Sequence, residues 1–420
     1  MPAIREWGRR TRWSTRARGS SKERQIRLES GDHERSGSVE TGPFDVVVVG
    51  GGIIGLAIAR EAAVACATVA LVDRDLERGA DATQVAAGML APVGEHEFGE
   101  RDLLPMNLAS AALYPDLIGQ LESATGLSTG YRRDGGIHVA LDGDEAAVLE
   151  RMVSLQEESG LEPRRLTPSQ AREEEPGLSS AVRSGVLAPG DGSVDPRLLA
   201  SALEADAVSR GAVVLREVPV TGLVRQAGRV VGVETAGGPI AAGTVVLATG
   251  AEAGRLPWLE PVESPPVRPV KGQVVELRAG EGPPPCLRAV VTERVYVVPR
   301  PDGRIVVGAT VEEQGWDREV TFGGVFEMLR EAYRVLPDLA ESSFTGARAG
   351  FRPGTPDNLP IVGPAPTPGL VLATGHYRNG VLLAPLTGVA VARMIADGLD
   401  RAPGMEAADP ARFRVTAGNT

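Results

Sequence analysis

The stretch Phe44 to Asp73, FDVVVVGGGIIGLAIAREAAVACATVALVD, contains a strand, a glycine turn, a helix and a second strand ending in an acid. Phe44 to Val49 is a run of β-formers too apolar for a surface strand, as a parallel strand buried on both faces requires. Gly50, Gly52 and Gly55 follow in G-x-G-x-x-G spacing. The first permits a tight turn, the second lets the backbone approach a pyrophosphate, and the third lets helix pack on strand. A helix from Ile53 to about Ala65 then aims free N–H groups and its positive dipole end at that anion. Thr68 to Val72 returns as the next parallel strand, with Asp73 at its tip to hold a ribose hydroxyl. This unit predicts a doubly wound α/β domain built around a dinucleotide.

The chain has 420 residues, 42% hydrophobic and 24% charged, so it can bury a large core and suggests two or more domains. A net charge of −11 argues against nucleic acid as a partner. Cys66 and Cys286 are too few and too far apart for a metal motif or a disulfide framework, which fits a reducing cytoplasm. No metal site is expected. No apolar run is read as long enough to span a bilayer, and no membrane association is expected. Residues 1–43 carry Arg9, Arg10, Arg12, Arg16, Arg18, Arg24 and Arg27 among serines and glycines, and are expected to be a disordered extension.

Periodicity predicts helices at about 102–125, 144–159, 167–174, 196–210, 322–336 and 381–395. Strands are expected at 131–141, 213–215, 221–225, 229–235, 244–248, 273–277, 289–292, 294–298, 304–310 and 370–373. The fold class expected is α/β: a Rossmann-like parallel sheet interleaved with a smaller α+β domain built on an antiparallel sheet. Residues 44–135, 185–250 and 346–400 are assigned to the nucleotide domain, 136–184 and 251–345 to a substrate domain, and 401–420 to a tail.

Four segments together carry a resemblance: the turn Gly50 to Gly55, AAGMLAP at 86–92, VVLATG at 245–250, and AGFRPGTPDNLPIVG at 349–363 followed by ATGHYRNGVLLAP at 373–385. The chain resembles the D-amino-acid-oxidase-like flavoproteins, and within them the glycine oxidases of thiamine biosynthesis, over about residues 44–400. The resemblance implies non-covalent FAD. It places the adenosine half on Gly50, Gly52, Ile53, Ile54, Gly55, Asp73 and Arg74, with Val218 at the adenine through its backbone. Thr83, Ala87, Gly88 and Met89 would line pyrophosphate and flavin, with Thr249 and Gly250 closing the phosphate side. His376, Tyr377, Arg378, Asn379, Gly380, Val381 and Leu382 would wrap the ring, where a helix N-terminus favours the negative charge that develops on reduction.

The same resemblance implies that Arg352 binds the substrate carboxylate, since its planar fork matches that group. Tyr296 would add a hydroxyl and Arg378 a second substrate-side cation. No catalytic side chain is expected, because the neutral amine can drive hydride transfer from Cα, and His138 and His376 are left out of the chemistry. The expected reaction is oxidation of glycine, with sarcosine or small D-amino acids as further substrates, to an imine and thence glyoxylate and ammonia. Oxygen would be the acceptor, hydrogen peroxide the by-product, and thiazole synthase a recipient of the imine. A homotetramer is implied. The rival readings are a D-amino-acid or sarcosine dehydrogenase using another acceptor, and a flavin-binding subunit without turnover.

Three features depart from the family's pattern: Asp81 to Val85 replaces a serine-rich run, Arg294 stands where histidine is frequent, and Val311 where methionine can line the pocket.

Overall fold

The computed structural model describes residues 43–75, 82–96 and 99–413. The expected N-terminal extension, Asp81 and the end of the expected tail lie outside these residues. In chain order the elements begin with β1 (Phe44–Val49), α1 (Ile53–Val64), β2 (Val69–Val72), α2 (Ala82–Val85), β3 (Met89–Leu90) and α3 (Leu103–Thr125). Next come β4 (Gly136–Ala140), α4 (Gly143–Glu158), β5 (Arg164–Leu166), α5 (Pro168–Glu174), β6 (Ser184–Ala188), β7 (Gly192–Ser193) and α6 (Pro196–Ser209). Strands β8 (Val213–Leu215), β9 (Val220–Gln226), β10 (Arg229–Thr235), β11 (Gly238–Leu247), β12 (Arg268–Arg278), β13 (Ala289–Val291), β14 (Tyr296–Pro299) and β15 (Arg304–Gly308) follow. The described chain closes with α7 (Phe322–Val335), β16 (Ser343–Gly354), β17 (Ile361–Pro364), β18 (Leu370–Thr374) and α8 (Gly380–Asp397).

The first sheet runs β17-β18-β11-β1-β2-β8, with the hairpin β9-β10 attached to the long strand β11. Its centre is parallel, with β1 between β11 and β2. The second sheet runs β16-β12-β15-β14-β13-β4-β6-β5. It is antiparallel except where β13 lies parallel to β4. The smaller antiparallel sheet expected from sequence is therefore an eight-stranded one with a parallel pair inside it.

Strands β6 and β16 belong to this second sheet, so the domain boundaries drawn at 185 and 346 fall within its strands. The twelve residues of β16 contain three glycines and a proline, a composition that reads as loop. Full-length pairing with β12 overrides that preference.

Helix α1 is apolar on every side because it lies between the first sheet and α3, α6 and α8. Its two charged residues are buried and paired: Arg60 donates to Asp206 Oδ2 at 2.7 Å and bonds Glu61 as well. Among the described residues Tyr377–Asp397, with mean hydropathy 1.5, is long and apolar enough to cross a membrane, contrary to the reading from sequence. The fold accounts for that composition, since α8 is a core helix whose buried residues join those of α1 and α3 in one cluster.

Helix α6 starts at Asp195, whose carboxylate accepts from Arg197 N at 2.9 Å, with Pro196 at the first helical position as the sequence indicated. Helix α3 is tied to the start of α8 by two buried hydroxyls. Tyr114 Oη donates to the Val381 carbonyl at 2.5 Å, and Ser110 Oγ to the Leu382 carbonyl at 2.6 Å. Replacing Tyr114 with Phe strands the Val381 carbonyl and is expected to cost about 1–3 kcal/mol. A urea titration tests this: the midpoint falls while the slope is unchanged.

Candidate active site

One cavity of about 850 Å³ runs between the two sheets, from the glycine turn past Ala87 to Met89 and on to Arg352. At its first end Gly50 adopts φ 109°, and a Cβ there would stand 2.5 Å from the Ala248 carbonyl oxygen. A Cβ on Gly55 would stand 1.9 Å from the Gly50 carbonyl oxygen, so the helix rests directly on the turn. Gly51, which the spacing argument skipped, donates its N–H to Asp73 Oδ2 at 2.6 Å. A side chain at 51 would collide with that carboxylate, so the run of three glycines was its only sequence signal.

Around this end, Arg74 is half-exposed and pairs with Asp75 and Glu252. The Val218 N–H donates to the Asp73 carbonyl at 2.9 Å, which leaves only its carbonyl for an adenine. Thr83 is buried and accepts from the Ile53 N–H at 3.0 Å. Gly88 has φ 68°, and a Cβ there would meet the Val194 carbonyl oxygen at 2.1 Å. Ala87 and Val194 are both clipped from the second sheet: Arg300 donates to the Val194 carbonyl at 2.8 Å and to the Ala87 carbonyl.

The turn before α8 shows which expected residues reach the cavity. Val381 and Gly380 line it, as do His376, Tyr377 and Arg378. Asn379 and Leu382, expected at the flavin, are absent from its lining. Leu382 points into the core, and Asn379 is buried with both amide atoms unpartnered among the described residues. His376 lies 3.0 Å from Thr387 Oγ1, and burial pushes its pKa down to about 3, so the ring is neutral. Arg378, expected to hold substrate, is already engaged by Glu100. Its Nη1 donates to Oε1 at 2.9 Å, its Nη2 to Oε2, and its Nη2 also to the Glu95 carbonyl at 3.1 Å.

At the far end, four strands of the second sheet present one row of residues. Arg352 stands on β16, not in a loop as its glycine- and proline-rich surroundings imply, and pairs with Val270 of β12. Gly272 of β12 makes room for its side chain, since a Cβ there would stand 2.3 Å from Nη1. That Nη1 donates to the Thr310 carbonyl at 3.0 Å. Tyr296 of β14 pairs with Gly308 of β15, where a Cβ would lie 2.4 Å from the phenolic oxygen. Burial raises the Tyr296 pKa, so the phenol stays a neutral donor beside the Arg352 guanidinium. Neither glycine was singled out from sequence, because only the strand register brings them beneath these side chains.

Asp191 went unread, and His138 was considered and set aside. Asp191 is buried and accepts from the N–H groups of Val93 at 3.3 Å and Gly94 at 3.1 Å. His138 of β4 lines the cavity beside Gly94, where a Cβ would meet both His138 Nε2 at 2.2 Å and Asp191 Oδ2 at 2.4 Å. Burial lowers the His138 pKa to about 4 and raises that of Asp191 to about 8. Of the departures noted above, Arg294 and Val311 both line the cavity and are 55% (side chain) and 64% exposed, respectively.

The sequence profile described as DAO: FAD dependent oxidoreductase matches residues 45–394. The bifunctional protein ThiO/ThiG of Trichormus variabilis is 39% identical over 84% of this chain, which spans about half, 53%, of that protein. A glycine oxidase of Geobacillus kaustophilus is 38% identical over 84% of this chain and 93% of its own length. The crystal structure of glycine oxidase from Geobacillus kaustophilus superposes with TM-score 0.80 at 36% identity, covering 90% of this chain and all of the other. This chain belongs to the FAD-dependent oxidoreductases of the DAO family.

The residues fit FAD. The glycine turn lines the cavity, and the cavity-lining Thr249 has a buried hydroxyl with no partner among the described residues. Ile53, Ile54 and the turn would hold the pyrophosphate, Asp73 the ribose, and the start of α8 the ring.

Two predictions follow from this geometry. Gly272→Ala forces the Arg352 guanidinium aside at little cost to the fold, because the obstructing atom ends a flexible chain. Binding of a small carboxylate such as glycolate, read from the flavin spectrum, is expected to weaken at least about tenfold, or about 1.4 kcal/mol. Asp191 has a raised folded pKa, so its contribution to stability is full below the unfolded value near 4 and is lost as pH rises towards 8. The buried histidines, whose folded pKa values are lowered, oppose this until about pH 7.5, one unit above their unfolded value, where they are almost wholly neutral in both states. The melting temperature is expected to fall between pH 7.5 and 8.5, by at most about 1.4 kcal/mol per pH unit in stability, and Asp191→Asn to flatten that fall.

Proposed function

We propose that this protein is an FAD-dependent oxidase of glycine or a similarly small amino acid, with sarcosine and small D-amino acids within reach. The observation that carries the reading is the pairing of Arg352 with Tyr296 at one end of a cavity whose other end is the glycine turn. A guanidinium over the gap at Gly272, with a neutral phenol over the gap at Gly308 beside it, matches an α-carboxylate. Fixing that carboxylate on Arg352 orients the Cα–H bond, and orientation is the main contribution the chain makes. Bound FAD supplies the two-electron acceptor.

His138 and His376 are held neutral by burial, which agrees with a reaction that starts from the free amine and needs no strongly basic side chain. Substrate and oxygen give an imino acid and hydrogen peroxide, and water then converts the imine to glyoxylate and ammonia. Handover of the imine to a thiazole synthase is supported by the fused bifunctional relatives. A cytoplasmic location and a homo-oligomer belong to the same reading. On this reading the cofactor belongs to the first sheet and the substrate to the second.

Anaerobic mixing with glycine, sarcosine and D-alanine in turn tests the proposal. Rapid loss of flavin absorbance with glycine, fast recovery in air and release of peroxide are expected. Slow recovery in air overturns the oxidase reading in favour of another acceptor. Arg352→Ala is expected to raise the glycine KM by a factor equivalent to about 2–3 kcal/mol while FAD stays bound, and unchanged kinetics would remove Arg352 from the site.

A further inference from the structure

Two arginines of the turn-and-strand framework reach the substrate end of the cavity, Arg352 and Arg378. Among the described residues, Arg352 has no carboxylate partner and Arg378 has one. Arg352 spends one donor on the Thr310 carbonyl at 3.0 Å, with a longer contact of 3.4 Å to that of Lys271. Arg378 meets Glu100 in a fork-to-fork pair, both terminal nitrogens against both carboxylate oxygens. Glu100 is itself buried, does not line the cavity, and is fixed from behind by Asn358 Nδ2 at 3.2 Å. The pair is therefore drawn to the protein side of the cavity wall.

We propose that Glu100 is a specificity-determining residue that confines the site to substrates with a single carboxylate, because it consumes the fork of Arg378. This rests on the amino acid oxidase reading above. A second substrate carboxylate placed near Arg378 meets a guanidinium whose charge and donors are already matched, and it approaches the Glu95 carboxylate, which lines the same cavity. Burying an unmatched anion there is costly. Other wall arginines offer little: Arg294 is half in solvent with Glu145 at 4.0 Å, and Arg318 is exposed over the Phe351 ring. Solvent screens both. Glu100→Gln keeps shape and the Asn358 contact but removes the neutralising charge, so Arg378 becomes a second carboxylate fork.

The test compares kcat/KM for glycine and iminodiacetate in the wild-type holoenzyme, Glu100→Gln, and Glu100→Gln with Arg378→Met. The wild type is expected to favour glycine by at least a hundredfold. Glu100→Gln is expected to raise the iminodiacetate-to-glycine ratio at least tenfold, and the double variant to abolish that gain. A merely structural role for Glu100 would lower both activities without moving the ratio, which overturns the inference. Should the variant fail to fold, the wild type alone decides through the flavin spectrum: glycolate is expected to bind at least a hundredfold more tightly than malonate. Equal binding of the two, or equal turnover of glycine and iminodiacetate, overturns the inference and leaves the oxidase reading intact. Absence of bleaching by glycine, sarcosine and iminodiacetate alike overturns both.

Discussion

The contact between Gly55 and the Gly50 carbonyl leaves no space for a single methyl group, and the rest of the molecule is positioned from it. It seats α1 on the turn that ends β1. The same helix then carries α8, through a second close approach: a Cβ on Gly388 would stand 2.8 Å from the Ala57 carbonyl oxygen. Because α8 is set by α1, the turn at its N-terminus is set too, and that turn forms the opposite wall of the cavity. Two glycines more than three hundred residues apart thus fix the width of one groove. Side chains at either position would widen it and cost both helix packing and cofactor contact.

The second sheet is joined to this framework by charge and not by apolar packing alone. Arg300 leaves the end of β14 and donates to carbonyls at Ala87 and Val194, while Arg304 of β15 reaches Asp195 Oδ2 at 2.5 Å. Asp195 is also the N-cap of α6, so one carboxylate ends a helix and ties two sheets. Arg197, on the first turn of α6, pairs with Glu276 of β12. Such buried, multiply bonded groups add geometric definition where a greasy joint would allow sliding. The site needs that definition, since Arg352 and the α8 turn come from different sheets and must face each other across a fixed gap.

Much of this was legible in the sequence, for a physical reason that can be stated element by element. The β1-α1-β2 unit was plain because its glycines, its periodicity and its terminal acid agree with one another. Asp195 and Pro196 marked a helix start by local chemistry alone. Strand β16 was not legible, because its residues prefer turns and only pairing with β12 makes them a strand. With β16 hidden, the strand setting of Arg352 went unread. Gly272, Gly308, Asp191 and Glu100 carried no signal, since each matters through a neighbour 12 to 278 residues away: Arg352, Tyr296, Gly94 and Arg378 are brought beside them by register and packing. Long-range partners of this kind are invisible to spacing arguments.

The charge pattern of the finished cavity is simpler than its number of ionisable groups suggests. Burial keeps His138 and His376 neutral, and holds Asp191 in its protonated form to about pH 8. Glu100 cancels Arg378, and Tyr296 remains a neutral donor. What remains is the Arg352 guanidinium, with the solvent-screened Arg294 and Arg318 and the Glu95 carboxylate elsewhere in the same cavity wall. A zwitterion with one carboxylate and one amine is the simplest molecule to match Arg352 and Glu95, and the low dielectric of the groove strengthens its preference for a single orientation. On the proposed reading, desolvation of the histidines and pairing of Arg378 therefore act to the same end as the glycine gaps under Arg352 and Tyr296: each removes a competing way of holding the substrate.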